Sequence, residues 1–138
     1  MPAKDFFHGA VVEALEREGW KITHDPLQLE TLDETFSIDL GAERVIAAVK
    51  GAEKIAVEIK SFRGQSFLYE FHAAIGQYES YLIALEEEDP QRLLYLAVPA
   101  KVFKKHFSSR FVQKVMERKS LRLIIFNTDN PTVSQWIS

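Results

Sequence analysis

The sequence contains no cysteine, only 6 glycines and 5 prolines, and no apolar run of 18 or more residues. The absence of cysteine excludes disulfide frameworks and cysteine-ligated zinc sites. A membrane-spanning helix needs about 20 consecutive apolar residues, so none is expected. The first residues lead into a charged helical pattern without the apolar core of a secretory signal, and we therefore expect a cytoplasmic protein.

The composition is typical of an ordinary globular protein, with 46% apolar and 27% charged residues. It excludes disorder, collagen-like repeats and coiled coils. A chain of 138 residues matches one domain on the usual size range, so we expect residues 1–138 to form a single domain.

The net charge of −3 conceals an uneven distribution of charge. Residues 1–100 carry a net charge of −9, whereas residues 101–138 carry +6. A basic stripe can follow a nucleic-acid backbone, because each neutralised phosphate releases counterions. The alternative is a solvated helix face that balances an acidic body. The candidate DNA-binding residues are Lys101, Lys104, Lys105, Arg110 and Lys114, and the basic stretch continues with Arg118, Lys119 and Arg122.

Apolar periodicity predicts helices and strands along the whole chain. Helices are predicted over 5–18, with Asp5 as N-cap, over 67–88, with Ser66 as N-cap, and in a basic region after Pro99 that is broken near Ser108. Strands are predicted over 20–24, 36–40, 45–49, 54–62, 92–98, 121–126 and 132–137. This order predicts an α/β fold, in which a mixed sheet is flanked by helices and a β-α-β crossover makes the last strands parallel.

Two charged residues interrupt the clearest strand. Ile55, Val57 and Ile59 share one face, and Glu58 and Lys60 lie on the other. Such breaks in a local pattern occur at functional sites. The alternative is a salt bridge between Glu58 and Lys60, or a neighbour, on a surface strand.

A metal site follows if the strand with Asp39 lies beside the strand with Glu58. Carboxylates of Asp39 and Glu58, with the backbone carbonyl of Ile59, are hard ligands suited to Mg²⁺. Lys60 then offers an ammonium group to a phosphoryl centre or an attacking water. Gln77 and Tyr81 lie one helical turn apart on the smaller face of the long helix, from which they reach the same site. Glu43 is a reserve ligand.

This arrangement resembles the PD-(D/E)XK nuclease superfamily, with its restriction-endonuclease-like αβββαβ core, an Asp on the second strand, Glu-x-Lys on the third and a following Gln-x-x-x-Tyr helix. More narrowly, the whole chain resembles the XisH family of fdxN element excision controlling factors. The residues that carry this likeness are Pro2-Ala3-Lys4-Asp5-x-Phe7-His8, Gly19-Trp20-x-Ile22-Thr23-His24-Asp25-Pro26-Leu27, Ile38-Asp39-Leu40-Gly41-Ala42-Glu43-Arg44, Ile55-Ala56-Val57-Glu58-Ile59-Lys60-Ser61-Phe62 and Gly76-Gln77-Tyr78.

The resemblance implies a DNA-processing factor that supports site-specific excision of a DNA element, together with an XisI-type partner protein and a site-specific recombinase. It implies a metal-dependent endonuclease using Mg²⁺ or Mn²⁺, with Asp39 and Glu58 as ligands, Lys60 as the catalytic lysine, and Gln77 and Tyr81 in support. Related nucleases carry a glutamate on the first helix at the position of His8. An imidazole there suits Mg²⁺ less well than a carboxylate does, although it still ligates a metal or orients a water.

Three functions remain open on the sequence. The first is the endonuclease, for which a homodimer is plausible because double-strand chemistry uses two sites related by a two-fold axis. The second is a non-catalytic accessory factor that binds DNA or a recombinase through the same fold. The third is a small-ligand-binding or structural α/β domain. His8 is otherwise a helix-capping or core-edge residue, and Asp25 is expected to bond its own backbone in a turn before Pro26.

Overall fold

A computed structural model describes residues 6–28 and 44–138 of the chain. These residues include four helices, namely α1 (His8–Arg17), α2 (Phe67–Glu88), α3 (Ala100–His106) and α4 (Arg110–Lys119). The six strands are β1 (Lys21–His24), β2 (Arg44–Lys50), β3 (Glu53–Ile59), β4 (Leu93–Pro99), β5 (Leu123–Asn127) and β6 (Thr132–Ile137). The mixed α/β architecture predicted from the sequence is confirmed.

The six strands form one mixed sheet in the order β1-β2-β3-β4-β5-β6. The β3–β4 and β4–β5 pairs are parallel, and the other three pairs are antiparallel. The parallel pairs are the ones joined through helices, as expected for crossover connections. The last strand, Thr132–Ile137, adds an antiparallel edge to this parallel centre.

Helix α1 begins later than predicted. Its N-cap is Phe7, which makes no side-chain capping bond, and the predicted cap Asp5 lies outside the described residues. The predicted end is confirmed, because Gly19 follows the C-cap with φ +92°. Glycine adopts that left-handed conformation without the steric penalty of a side chain.

Helix α2 spans the predicted residues. The hydroxyl of Ser66 accepts a hydrogen bond from the backbone N–H of Tyr69 at 3.2 Å, which caps the first turn. Its buried face carries Phe71, Ala74, Tyr78 and Tyr81, together with residues one turn further on.

Strand β3 ends at Ile59, three residues earlier than predicted. Phe62 has φ +56°, a left-handed conformation that turns the chain away from the sheet. At Glu58 the two neighbours of β3 are Val45 of β2 and Leu96 of β4. The strand predicted over 36–40, which carries Asp39, lies outside the described residues, so its place beside Glu58 stays a prediction.

The sheet separates two apolar cores. On one face Ile55, Val57 and Ile59 pack with α1 side chains such as Val11 and Leu15. On the other face Ala56 packs with side chains of α2, α3 and α4. Among the described helices, none is long and apolar enough to cross a membrane.

Candidate functional site

Glu58 is the most unusual residue of the sheet. It is 0% exposed, and neither carboxylate oxygen has a hydrogen-bond partner among the described residues. Burial raises the pKa of this carboxyl well above its ordinary value. The salt bridge with Lys60 or another neighbour, considered as an alternative from the sequence, is wrong. Within the described ranges, Glu58 is a fully desolvated acid without a counter-charge.

The position of Glu58 follows from the alternation of β3. Ile59 points into the α1 core, as predicted, so Glu58 lies on the opposite face with Ala56, beneath α2. Glu58 also acts electrostatically on Tyr78 of α2. The pKa of Tyr78 is raised mainly by burial, is lowered by Arg122, and is raised further by the charge of Glu58.

Helix α2 brings a second unpartnered oxygen to the interior. The side-chain carbonyl of Gln77 is buried and has no hydrogen-bond partner in the described part of the chain. Tyr81, one turn further along, is buried against the same core as Ala56. Gln77 and Tyr81 are the two residues of this helix that the sequence analysis predicted to reach the site of Glu58.

Lys60 and Ile59 lie at the carboxyl end of β3. The backbone N–H of Lys60 donates to the carbonyl of Ala97 on β4 at 3.3 Å, which continues the parallel pairing one residue past the strand. The side chain of Lys60 is half-buried. Since β4 runs parallel to β3 and leads directly into α3, the first basic helix begins at this same end of the sheet.

The basic segment forms two helices on the α2 side of the sheet. Val102, Phe103, Val112 and Met116 anchor α3 and α4 to the core beneath α2. The predicted break near Ser108 is confirmed, because Ser109 caps α4 by accepting from the Val112 N–H. The candidate DNA-binding residues are all exposed, namely Lys101, Lys104, Lys105, Arg110 and Lys114.

Not every base of this segment extends freely into solvent. Lys119 forms an ion pair with Glu79 of α2 at 2.9 Å. Arg122 is half-buried, and its backbone N–H donates to the hydroxyl of Tyr78 at 3.3 Å. Among the described residues of this segment, the exposed cations that form no ion pair within the described part of the chain therefore lie on α3 and along α4, where they include Arg118 in the last turn.

Comparisons with known proteins place the chain in a family. The family model described as XisH protein matches residues 1–134. The chain belongs to the XisH family. A crystal structure of an XisH family protein from Nostoc punctiforme is similar to it, with 38% identity, 97% of this chain and 100% of that chain covered, and a TM-score of 0.89.

A second similar structure is that of a fdxN element excision controlling factor protein from Anabaena variabilis. It is 36% identical, covers 96% of this chain and 98% of its own, and has a TM-score of 0.87. No match is found among curated proteins.

In this XisH family chain His8 is engaged by another side chain. Its Nε2 lies 2.9 Å from Oδ1 and 2.8 Å from Oδ2 of Asp25. Since an ionised carboxylate only accepts, Nε2 carries the hydrogen. His8 is buried at the start of α1, which packs on the sheet face opposite Glu58. Sequence reasoning missed this pair, because nothing in the local pattern links positions 8 and 25.

Asp39 and Glu43 lie outside the described residues. Within residues 6–28 and 44–138, no group of three or more His, Asp or Glu side chains is placed to hold a metal ion. The roles of Asp39 as ligand and of Glu43 as reserve ligand therefore stay predictions.

Proposed function

We propose that this XisH family chain is a DNA-processing factor that supports site-specific excision of a DNA element, and that it acts as a metal-dependent endonuclease of the PD-(D/E)XK type. The observation that carries the proposal is the carboxylate of Glu58, which is fully buried and has no hydrogen-bond partner among residues 6–28 and 44–138. The similar protein from Anabaena variabilis is named a fdxN element excision controlling factor protein, and this name supports a role of the present chain in excision.

A buried carboxylate needs either a proton or a cation. Moving an isolated carboxylate out of water costs on the order of several kcal/mol. A buried carboxylate without a counter-charge therefore takes up a proton or binds a cation. The side-chain oxygens of Glu58 and the carbonyl oxygen of Gln77 are buried and have no hydrogen-bond partner in the described part of the chain. Oxygen ligands are those that Mg²⁺ and Mn²⁺ prefer. The residues present thus fit a hard cation. Glu58, Asp39 and the carbonyl of Ile59 would hold it.

The bound cation would polarise the scissile phosphate and lower the pKa of the attacking water. Lys60 lies two residues beyond Glu58 on the same strand side, where its ammonium group would stabilise negative charge that develops on the phosphate. Gln77 and Tyr81 would orient the ligands from α2. His8 would have only a supporting role, because Asp25 already binds its imidazole.

The basic helices would hold the DNA next to this chemistry. Exposed Lys101, Lys104, Lys105, Arg110 and Lys114 lie on the same side of the sheet as Glu58. Lysine and arginine contacts to phosphates position a duplex without reading its sequence. The DNA target would then be selected by an XisI-type partner and a site-specific recombinase, and a homodimer would supply a second cut.

The endonuclease is tested by nicking of supercoiled plasmid in Mg²⁺ or Mn²⁺. We expect Glu58→Gln, Asp39→Asn and Lys60→Ala to lose nicking by at least about 100-fold, as for groups that act directly on the reacting phosphate. The control is Glu53→Gln, which removes an exposed carboxylate at the other end of β3. Equal nicking by wild type and Glu58→Gln at every metal concentration rules out the endonuclease.

The alternative function is a non-catalytic accessory factor that binds DNA or a recombinase. The engagement of His8 by Asp25 favours it, because the position where related nucleases carry a glutamate is then already paired. In an excision reporter, this function requires that Lys104→Glu/Lys105→Glu abolish excision while Lys60→Ala does not. The reverse pattern eliminates it.

A further inference from the structure

A cavity of about 510 Å³ lies at the opposite end of the sheet from Glu58. Its walls include Ile55 at the start of β3, Leu93 at the start of β4 and Lys50 at the end of β2. Glu58 is about 10–17 Å further along β3 at about 3.3 Å per residue. The cavity is also on the α1 side of the sheet, since Ile55 belongs to that core. It is therefore separate from the proposed nuclease site.

Three aromatic rings line this cavity, those of Trp20 just before β1, Tyr95 on β4 and Trp136 on β6. The rings of Trp20 and Trp136 are 5.8 Å apart and tilted by 34°. Tyr95 meets Trp136 edge to face at 5.1 Å. Tyr95 is 7% exposed, yet no residue in the described ranges hydrogen-bonds its hydroxyl. The cavity thus presents π-surface and an unused polar group.

The charged side chains around the cavity differ in whether they form ion pairs in the described part of the chain. Lys54 forms an ion pair with Asp89 at 2.7 Å, and Asp89 also pairs with Arg92 at 3.0 Å. Lys50 and Glu53 are register partners of opposite charge across the hairpin.

Glu18 is the remaining acid of the cavity. Its Oε1 accepts a hydrogen bond from Nε1 of Trp136 at 3.0 Å, and no cation among the described residues forms an ion pair with it. A neutral indole N–H fixes this carboxylate next to the aromatic rings without removing its charge.

We propose that this cavity binds an organic cation, either a guanidinium or an alkylammonium group. Aromatic faces attract such cations through their quadrupole, most strongly in the case of tryptophan. Glu18 supplies the opposite charge, and the hydroxyl of Tyr95 supplies an additional acceptor. The cation is the side chain of a partner protein or a free small molecule, and both sources share this chemistry.

Tryptophan fluorescence tests the proposal directly, because the chain has two tryptophans and both line the cavity. The probes are a blocked arginine amide and a blocked trimethyllysine amide, which mimic a partner side chain, and choline and putrescine, which mimic free ligands. The uncharged carbon analogue of choline is the matched control for charge, and sodium chloride is matched for ionic strength.

The variant Glu18→Gln keeps an acceptor for the indole of Trp136 and removes the charge. We expect a saturable fluorescence change with at least one cation, no such change with the carbon analogue, and about tenfold weaker binding in Glu18→Gln. Glu13→Gln, on the same helix but outside the cavity, should bind within about twofold of wild type. Circular dichroism confirms that each variant is folded.

Tighter binding of the amides assigns the site to a partner side chain, and tighter binding of choline or putrescine assigns it to a free ligand. Either result supports the proposal. It is overturned if no cation gives a saturable change, if the carbon analogue binds as well as choline, or if Glu18→Gln binds as wild type does. None of these results bears on nicking by the Glu58 site.

Discussion

At the scale of single residues, Glu58 makes the folded protein sensitive to pH. Its pKa is raised in the folded state by burial, whereas in the unfolded chain it returns to its ordinary value. Between these two values the folded state binds one more proton than the unfolded state. The free energy of unfolding therefore decreases as the pH rises from the ordinary carboxyl pKa to the raised one.

The substitution Glu58→Gln removes this titration and keeps the shape of the side chain. We expect it to be more stable than wild type at pH 8, by about 1 kcal/mol or more in the absence of divalent cations, and to lose that advantage near pH 4. Denaturant unfolding at both pH values measures the difference. An advantage of equal size at both pH values would contradict a raised pKa of the buried Glu58 carboxyl.

A divalent cation bound at Glu58 should make wild type more stable than Glu58→Gln. Ligand that binds only the folded state stabilises it, by about 2.7 kcal/mol at one hundred times its Kd. We expect Mn²⁺ at pH 8 to raise the melting temperature of wild type and to leave that of Glu58→Gln unchanged. A shift of the same size in both proteins would place the cation elsewhere.

A second notable feature at this scale is the pair of His8 and Asp25, which joins the start of α1 to the end of β1. The contact is partly buried, and both carboxylate oxygens lie within 2.9 Å of the imidazole nitrogen. A hydrogen bond to a charged group contributes about 1.5–3 kcal/mol.

We expect His8→Gln and Asp25→Asn each to lower the free energy of unfolding by about 1–2 kcal/mol. In the double variant, the loss should differ from the sum of the two single losses by about 0.5 kcal/mol or more. Thermal or urea unfolding of the four proteins in this cycle provides the measurement. Strictly additive losses would show that the pair does not act as a unit.

At the scale of elements, a cluster of aromatic rings fixes the segment that follows β3. Phe62, in its left-handed conformation, packs edge to face on Phe107 of the α3–α4 connection at 6.0 Å. Phe67 stacks on His106 at 4.2 Å and contacts Phe107 at 5.6 Å. These contacts hold the turn after Lys60, the start of α2 and the end of α3 in one arrangement.

Phe107 is the centre of this cluster and is 1% exposed. We expect Phe107→Ala to lower the free energy of unfolding by about 3–5 kcal/mol, because the cavity it leaves cannot close between three elements. Phe111→Ala is the matched control, since Phe111 is 53% exposed on α4, and a loss below about 0.5 kcal/mol is expected there. Similar losses in both variants, measured by urea unfolding, would refute the central role of Phe107.

At the scale of the whole molecule, the sheet separates two surfaces of different character. The α2 side carries the exposed cations of α3 and α4 and covers Glu58. The α1 side carries the aromatic cavity. If the first side holds DNA, as proposed, binding depends on salt through the phosphates that its cations neutralise.

We expect the slope of log K against log salt for a duplex to become less steep by about 2 in Lys104→Ala/Lys105→Ala, since each phosphate contact contributes about 0.9. Lys21→Ala/Lys50→Ala removes the same charge from β1 and β2 and should leave the slope unchanged. Fluorescence anisotropy over a range of salt concentrations gives both slopes. An equal change of the slope in both double variants would mean that net charge, rather than the basic helices, governs binding.

Much of the secondary structure was predictable because its causes are local. The apolar spacing of 67–88 and the cap Ser66 define α2, and the last strand at Thr132–Ile137 follows from its alternation. The boundary of β3 was missed because the conformation of Phe62 depends on the rings packed around it. The anomaly at Glu58 was also visible, since an acid in an apolar strand breaks the pattern of its neighbours.

The sequence by itself determined most of the helices and strands among the described residues, which residue of β3 is out of place, where positive charge accumulates, and to which family the chain belongs. Only the tertiary structure decided that Glu58 is completely desolvated, that Asp25 reaches His8, and that Trp20, Tyr95 and Trp136 line one cavity. The physical reason is that burial and contact between distant residues depend on strand order and helix placement. Those arise from packing of the whole chain, whereas periodicity and capping act over a few residues.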